Sequence, residues 1–180
     1  EHFVKTLSSA QHKHLDSIAF RFGVCINYVE VINFIHTSSG VGHRVMCDSW
    51  KLDVLLRQFL ITNNFSLVVN DVEKLPVVKN RTQLKCGPKL QKSNFVSPEQ
   101  LSWGDEMPSY DEKSDIWKIP AVCEHFLGKS PKAIALKHSL SVVHKQCKNV
   151  IPENRPSAAT VLKAYEHVKD TLHAFDDVEV

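Results

Sequence analysis

The sequence predicts a mainly α fold with a few short strands placed early in the chain, and three observations carry that expectation. Apolar residues recur at helical spacing from about Gln11 to His36, at Leu15, Ile18, Ala19, Phe22, Ile26, Val29, Ile32 and Ile35. The same rhythm returns over Ser114 to Leu127, roughly Pro131 to Cys147, and Ala158 to about Phe175. Only Arg44 to Cys47 and Phe65 to Val69 read as strands.

In chain order, the first helix is long and largely buried, and Thr37-Ser38-Ser39-Gly40 ends it with residues that favour a turn. Between the two strands, Trp50 to Thr62 is helical by pattern. Residues 74–97 carry Pro76, Gly87 and Pro88 with weak periodicity, which predicts a long loop with at most a short strand pair. Pro98-Glu99-Gln100 opens another helical stretch, since proline is tolerated in a first turn. A turn of Pro152, Asn154 and Pro156 leads into the last helix. There are no internal repeats and no linker that would split the chain.

The 180 residues are 43% hydrophobic and 23% charged, the balance of a globular protein with a real core. Disordered, collagen-like and small disulfide-framed chains are excluded. A net charge of +2 supplies no electrostatic reason to expect nucleic acid. No run reaches the roughly 20 consecutive apolar residues of a spanning helix; the nearest, Val24 to Ile35, is interrupted by Asn27, Glu30 and Asn33. Five cysteines (Cys25, Cys47, Cys86, Cys123, Cys147) form no CxxC pair and leave the redox compartment open. The histidines, among them His12, His14, His43 and His125, show no metal spacing and read as surface or capping groups.

Two acids stand out by position. Asp48 follows the strand-like Val45-Met46-Cys47, and Asp71 follows Leu67-Val68-Val69-Asn70. Carboxylates at the ends of neighbouring short strands suit phosphoryl transfer, one accepting a hydroxyl proton and the other holding Mg²⁺ on the phosphates. Spacing alone is weak support, because 20 acids offer many such pairs.

The order of the surrounding motifs changes this. Val45-Met46-Cys47-Asp48, Asp71-Val72-Glu73, Ser97-Pro98-Glu99, Asp115 at the start of an apolar helix, and Arg155 before the last helix follow one another as in protein kinases. From about residue 11 to 175 the chain resembles the C-terminal lobe of the protein-kinase-like superfamily. The resemblance divides residues 1–180 into a helix before the catalytic loop (11–36), catalytic and metal loops (44–73), an activation segment (71–99) and a C-terminal helical subdomain (100–175). Its strands would lie at the active site, and the whole enzyme would be α+β. By the same resemblance an N-terminal lobe and a membrane anchor would be missing.

A narrower resemblance is carried by Val45-Met46-Cys47-Asp48-Ser49, Val69-Asn70-Asp71, Leu84-Lys85-Cys86-Gly87, Pro98-Glu99-Gln100-Leu101, Met107 to Lys113, and Asp115-Ile116-Trp117-Lys118-Ile119-Pro120. These strings are similar to the protein O-mannose kinase family. That similarity implies phosphate transfer from ATP to the 6-hydroxyl of mannose within an O-linked trisaccharide on α-dystroglycan. It also implies a type II protein of the endoplasmic reticulum membrane, with a lumenal catalytic domain and contact with the membrane only through the missing anchor. The fragment alone is expected to be inactive. Two other readings stay open: a catalytically silent kinase-like module that binds glycan or a partner, and a conventional Ser/Thr or Tyr kinase.

By this resemblance Asp48 is the general base and Asp71 the Mg²⁺ ligand, with Asp53 a candidate second ligand and Asn70 a loop-shaping residue. Asp115 is the carboxylate that receives catalytic-loop backbone N–H groups, and Arg155 pairs with Glu99. Together with Trp117 these are architecture. Breaking such an Arg–carboxylate pair costs about 3–5 kcal/mol. Met46 and Cys47 replace the His and Arg of H-R-D, and Asp71-Val72-Glu73 lacks Phe and Gly, so activation-loop phosphorylation has no cationic partner and a constitutive site is expected. Asn64 and Asn80 open glycosylation sequons. Cys47 and Cys86 are either disulfide-bonded or free. The loop Ser102 to Lys113 is a candidate wall of the acceptor site, with Tyr110 offering a stacking face.

Overall fold

The computed structural model describes residues 16–38, 43–47, 49–62, 64–70, 72, 75–78, 83–102 and 105–176, with side chains through 171. Its helices are α1 (Ile18–Thr37), α2 (Leu52–Leu56), α3 (Lys113–Leu127), α4 (Pro131–Ser139), α5 (Ser141–Cys147) and α6 (Ala158–Asp176). Its two strands, β1 (Phe59–Ile61) and β2 (Leu67–Val69), pair antiparallel with Phe59 opposite Val69 and Ile61 opposite Leu67. The mainly α fold with a few short strands is the one the sequence predicts.

Helix α1 is the centre of the fold. Ser17 caps it by accepting the Phe20 N–H at 3.1 Å, which satisfies one of the donors left open at a helix start. By length and composition it is long and apolar enough to cross a membrane. Here α6, α3 and β2 pack against it, burying Phe22, Val24, Cys25, Ile26, Tyr28, Val29, Ile32, Ile35 and His36. Partners on several sides explain why its apolar residues form no narrow stripe. Asn27, one of the interruptions in its apolar run, accepts the Leu67 N–H at 2.5 Å and so ties β2 to the helix.

Helix α3 supplies the second wall of the core, with Ile116, Ile119 and Val122 fully buried and Cys123, Phe126 and Leu127 nearly so. It ends at Gly128, whose φ of +76° is the left-handed conformation glycine adopts without strain. Ser130 then caps α4, with Pro131 in the first turn.

Four expectations need correction. Trp50 to Thr62 is not one helix. Its apolar residues do fit helical spacing, but β1 gains a strand partner in β2, and the chain leaves the helix after Leu56. Roughly Pro131 to Cys147 is two helices, because Leu140 takes ψ −3° and turns a fully buried side chain inward. Pro98–Gln100 is a single 3₁₀ turn, closed by a capping box between Ser97 and Gln100. The strand read over Arg44 to Cys47 is reduced to one bridge, Arg44 to Val77, and the loop of 74–97 pairs outward through Leu84 with Tyr110 and Leu90 with Leu101.

Candidate active site

Asp48 and Asp71, the two acids expected to carry the chemistry, lie outside the described residues, as does Asn80. The frame on either side of Asp48 is described in detail. Residues 43–45 run beside 76–78, with the Val78 N–H donating to His43 O at 2.6 Å and the Val45 N–H to Pro76 O at 3.3 Å. Met46 is fully buried, and its N–H donates at 3.1 Å to Oδ2 of Asp115, at the start of α3.

Asp115 is fully buried. His36 Nε2, from the end of α1, lies 3.2 Å from the same oxygen, and Lys118 Nζ lies 3.6 Å from Oδ1. Lys118 is one turn further along α3 and also fully buried, which pushes its ammonium below the ordinary lysine range while Asp115 pulls it back. Its Nζ donates to Ser49 Oγ at 2.5 Å, and Ser49 Oγ donates to Met46 O at 2.5 Å. One face of α3 therefore holds the residues before and after Asp48 through a single polar network. Buried polar groups of this kind are costly unless paired, so the network specifies one loop conformation.

A covalent link joins the same loop from the other side. Cys47 and Cys86 form a disulfide with a Cα–Cα separation of 5.5 Å. This resolves the alternative left open by the sequence. Gly87, at φ +78°, lies so close that a Cβ on it would sit 2.8 Å from Cys47 O. The remaining cysteines, Cys25, Cys123 and Cys147, are free and buried.

Arg155 and Glu99 meet in a bidentate pair, Nη1 to Oε1 at 2.5 Å and Nη2 to Oε2 at 2.8 Å. Arg155 also donates to Asn149 O at 2.8 Å and Lys113 O at 3.0 Å, so one guanidinium joins the 3₁₀ turn at Pro98, the start of α3 and the approach to α6. Burial raises the Glu99 carboxyl, but the Arg155 hydrogen bonds outweigh it and hold it below the ordinary carboxylate range. The Trp117 ring lies under Arg155 at 5.0 Å and under Lys148 at 4.5 Å.

The other proposed site residues are placed less favourably. Asp53 stands in the first turn of α2, 60% exposed, with a 3.6 Å contact to Arg57. Its oxygens are open to a cation in the way an oxygen-preferring Mg²⁺ requires. Among the described residues, however, no group of three or more ligand-type side chains converges on a metal. Asn64 is exposed in the turn between β1 and β2, and Asn70 follows β2, also exposed. Tyr110 needs correction. It is 2% exposed and donates from its hydroxyl to Cys86 O at 2.7 Å, so it has no free face for a sugar. His125 is half-buried with Nε2 shielded, not a surface group. Within the Ser102 to Lys113 loop, Met107, Pro108 and Ser109 line a cavity of about 280 Å³ with Lys85, Glu99 and Glu106.

Sequence reasoning did not single out Lys118, Ser49 or His36. Lys118 did carry a signal: a lysine three residues after Asp115, flanked by Trp117 and Ile119, marks an i,i+3 pair.

A long central helix, a loop held by a buried aspartate at the start of the next helix, and an Arg–Glu pair joining residues 99 and 155 make up one mainly α frame. No protein-family model matches the chain. It is 40% identical over 178 residues to protein O-mannose kinase of Homo sapiens, covering 93% of this chain and 51% of that protein. Protein O-mannose kinase of Gallus gallus is 40% identical over 179 residues, and that of Xenopus laevis 39% over 175. These proteins are homologues of the chain, which spans about half the length of the curated relatives it matches.

Proposed function

We propose that the chain is the C-terminal lobe of a glycan kinase that transfers phosphate from ATP to the 6-hydroxyl of O-linked mannose, in the trisaccharide of α-dystroglycan. The observation that carries this reading is the placement of the loop. Met46, two residues before Asp48, hangs on the buried carboxylate of Asp115, in a chain 40% identical to protein O-mannose kinases. Asp48 orients the sugar hydroxyl and accepts its proton. Asp71, with Asp53 as a second candidate, would hold Mg²⁺, which when bound neutralises charge on the phosphates. The division into helix 11–36, loops 44–73, activation segment 71–99 and subdomain 100–175 belongs to the same proposal.

The cavity beside Met107 to Ser109 is the proposed edge of the acceptor site. The Cys47–Cys86 disulfide supports an oxidising compartment, in keeping with a lumenal domain anchored in the endoplasmic reticulum membrane. Asn64, exposed in its turn, is the better placed of the two candidate glycosylation sites.

Transfer of labelled phosphate from ATP to the O-mannosyl trisaccharide, by the full-length protein, tests the reading. Asp48→Asn should lower kcat by about 10²–10⁴, the usual contribution of a positioned base. Full activity in that variant overturns the assignment of the base. Tight glycan binding with no transfer by the wild type would favour the silent module instead.

A further inference from the structure

Lys118 is fully buried on a helix whose Ile116, Ile119 and Val122 are fully buried as well. Taking an ammonium out of water at such a place is expensive, and an apolar side chain of similar volume is often no less stable there. The stability of α3 therefore does not account for this lysine.

Its geometry points away from a simple ion pair. Nζ stands 3.6 Å from Asp115 Oδ1, beyond hydrogen-bond distance, and donates instead to Ser49 Oγ at 2.5 Å. Ser49 is also fully buried, and its hydroxyl donates to Met46 O. Asp115 takes the Met46 N–H at its other oxygen, Oδ2. The carboxylate thus holds the loop before residue 48, and the ammonium holds it after. Residues 45–50 contain no basic side chain, and Cys47 stands where H-R-D kinases carry an arginine. The positive charge at this loop comes from the facing helix.

We propose that Lys118 is a positioning residue for the base-bearing loop: acting through Ser49, it sets the register of the residue that follows Asp48 and supplies from α3 the cation that the loop lacks. The proposal rests on Asp48 being the base. A residue that acts in this way affects the alignment of the base with the attacking hydroxyl and leaves ATP binding alone. Its loss therefore shows in kcat and not in KM for ATP.

The test is steady-state phosphate transfer to the O-mannosyl trisaccharide by the full-length protein, with kcat expressed per molecule that binds ATP. Ser49→Ala is the first variant, because it removes the link and leaves Lys118 beside Asp115. It should lower kcat by about 10²-fold, as a displacement of about 1 Å does, and change KM for ATP less than about twofold. Lys118→Met should lower kcat as far, and the double variant no further, since the two residues act as one unit. Val161→Ala opens a cavity in the same core and should lower stability while leaving kcat unchanged. Unchanged kcat in Ser49→Ala overturns the proposal, and so do losses that multiply in the double variant. An equal loss of kcat in Val161→Ala also overturns it, because destabilisation alone would then explain the effect. If the wild type transfers no phosphate, the reading of function fails. Amide hydrogen exchange of residues 44–50 then decides the link by itself: faster exchange in Ser49→Ala than in Val161→Ala supports it, and equal exchange overturns it.

Discussion

Between Lys113 and Thr171 the chain is held together by apolar surface, whereas between His43 and Tyr110 a thinner core is supplemented by single links. In the first region Ile116, Ile119, Val122, Leu140 and Val161 are all fully buried and join one continuous core with α1. In the second fewer of the described apolar side chains are fully buried, and beyond the β1–β2 pair the path of the chain is set by isolated bridges, one disulfide and the carboxylates of Asp115 and Glu99. Closing the 39-residue loop between Cys47 and Cys86 is worth about 4 kcal/mol in the chain-entropy picture. Apolar burial tolerates the loss of one contact by relaxation around it. A point link fails as a unit. The candidate site lies where these regimes meet, at the polar start of α3.

Arg155 is the joint between the two regions, and removing it should have the largest effect. Arg155→Met leaves Glu99 without its partner and strips hydrogen bonds from Asn149 O and Lys113 O. A loss of about 3–5 kcal/mol is expected in denaturant unfolding. A loss below about 1 kcal/mol would show that the regions are coupled some other way. Ile119→Ala probes the helical region alone and should cost about 3 kcal/mol by transfer and cavity terms. Hydrogen exchange at 84–101 should follow only the global change in that variant. Selective loosening of those residues would erase the distinction drawn here.

Acid should act more gently, and mainly on the loop side. Glu99 titrates below the ordinary carboxylate range in the folded state, so its pairing contributes stability above that range and loses it as pH falls through the folded value. Asp111, whose carboxyl burial raises, works in the opposite sense and offsets part of the loss. An unfolding series from pH 7 downward should show stability falling below about pH 4.5. In Glu99→Gln that slope should be shallower, and an identical slope would remove Glu99 as its source.

Much of the fold was legible because helices announce themselves locally. The rhythms of α1, α3 and α6 and the Gly128–Ser130–Pro131 junction are written in neighbouring residues. Trp50 to Thr62 misled because five apolar positions fit helical spacing, and only pairing with Leu67–Val69 made part of it a strand. At the site, the Arg155–Glu99 pair and the place of Asp115 could be expected from motif order. The burial of Tyr110 could not, since its hydroxyl is satisfied by Cys86 O, a partner fixed by chain crossing.

The amino-acid sequence by itself determined the helical class, the order of the motifs, the positions of Asp48 and Asp71 after strand-like runs and the absence of an arginine before Asp48. These properties depend on residue type and spacing along one strand of chain. The tertiary structure alone decided that Cys47 takes Cys86 as its partner, that Lys118 reaches Ser49, and that Tyr110 faces inward. Each of those joins residues 24 to 69 positions apart. Local propensity carries no information over such distances, and only packing against a common core brings such residues together.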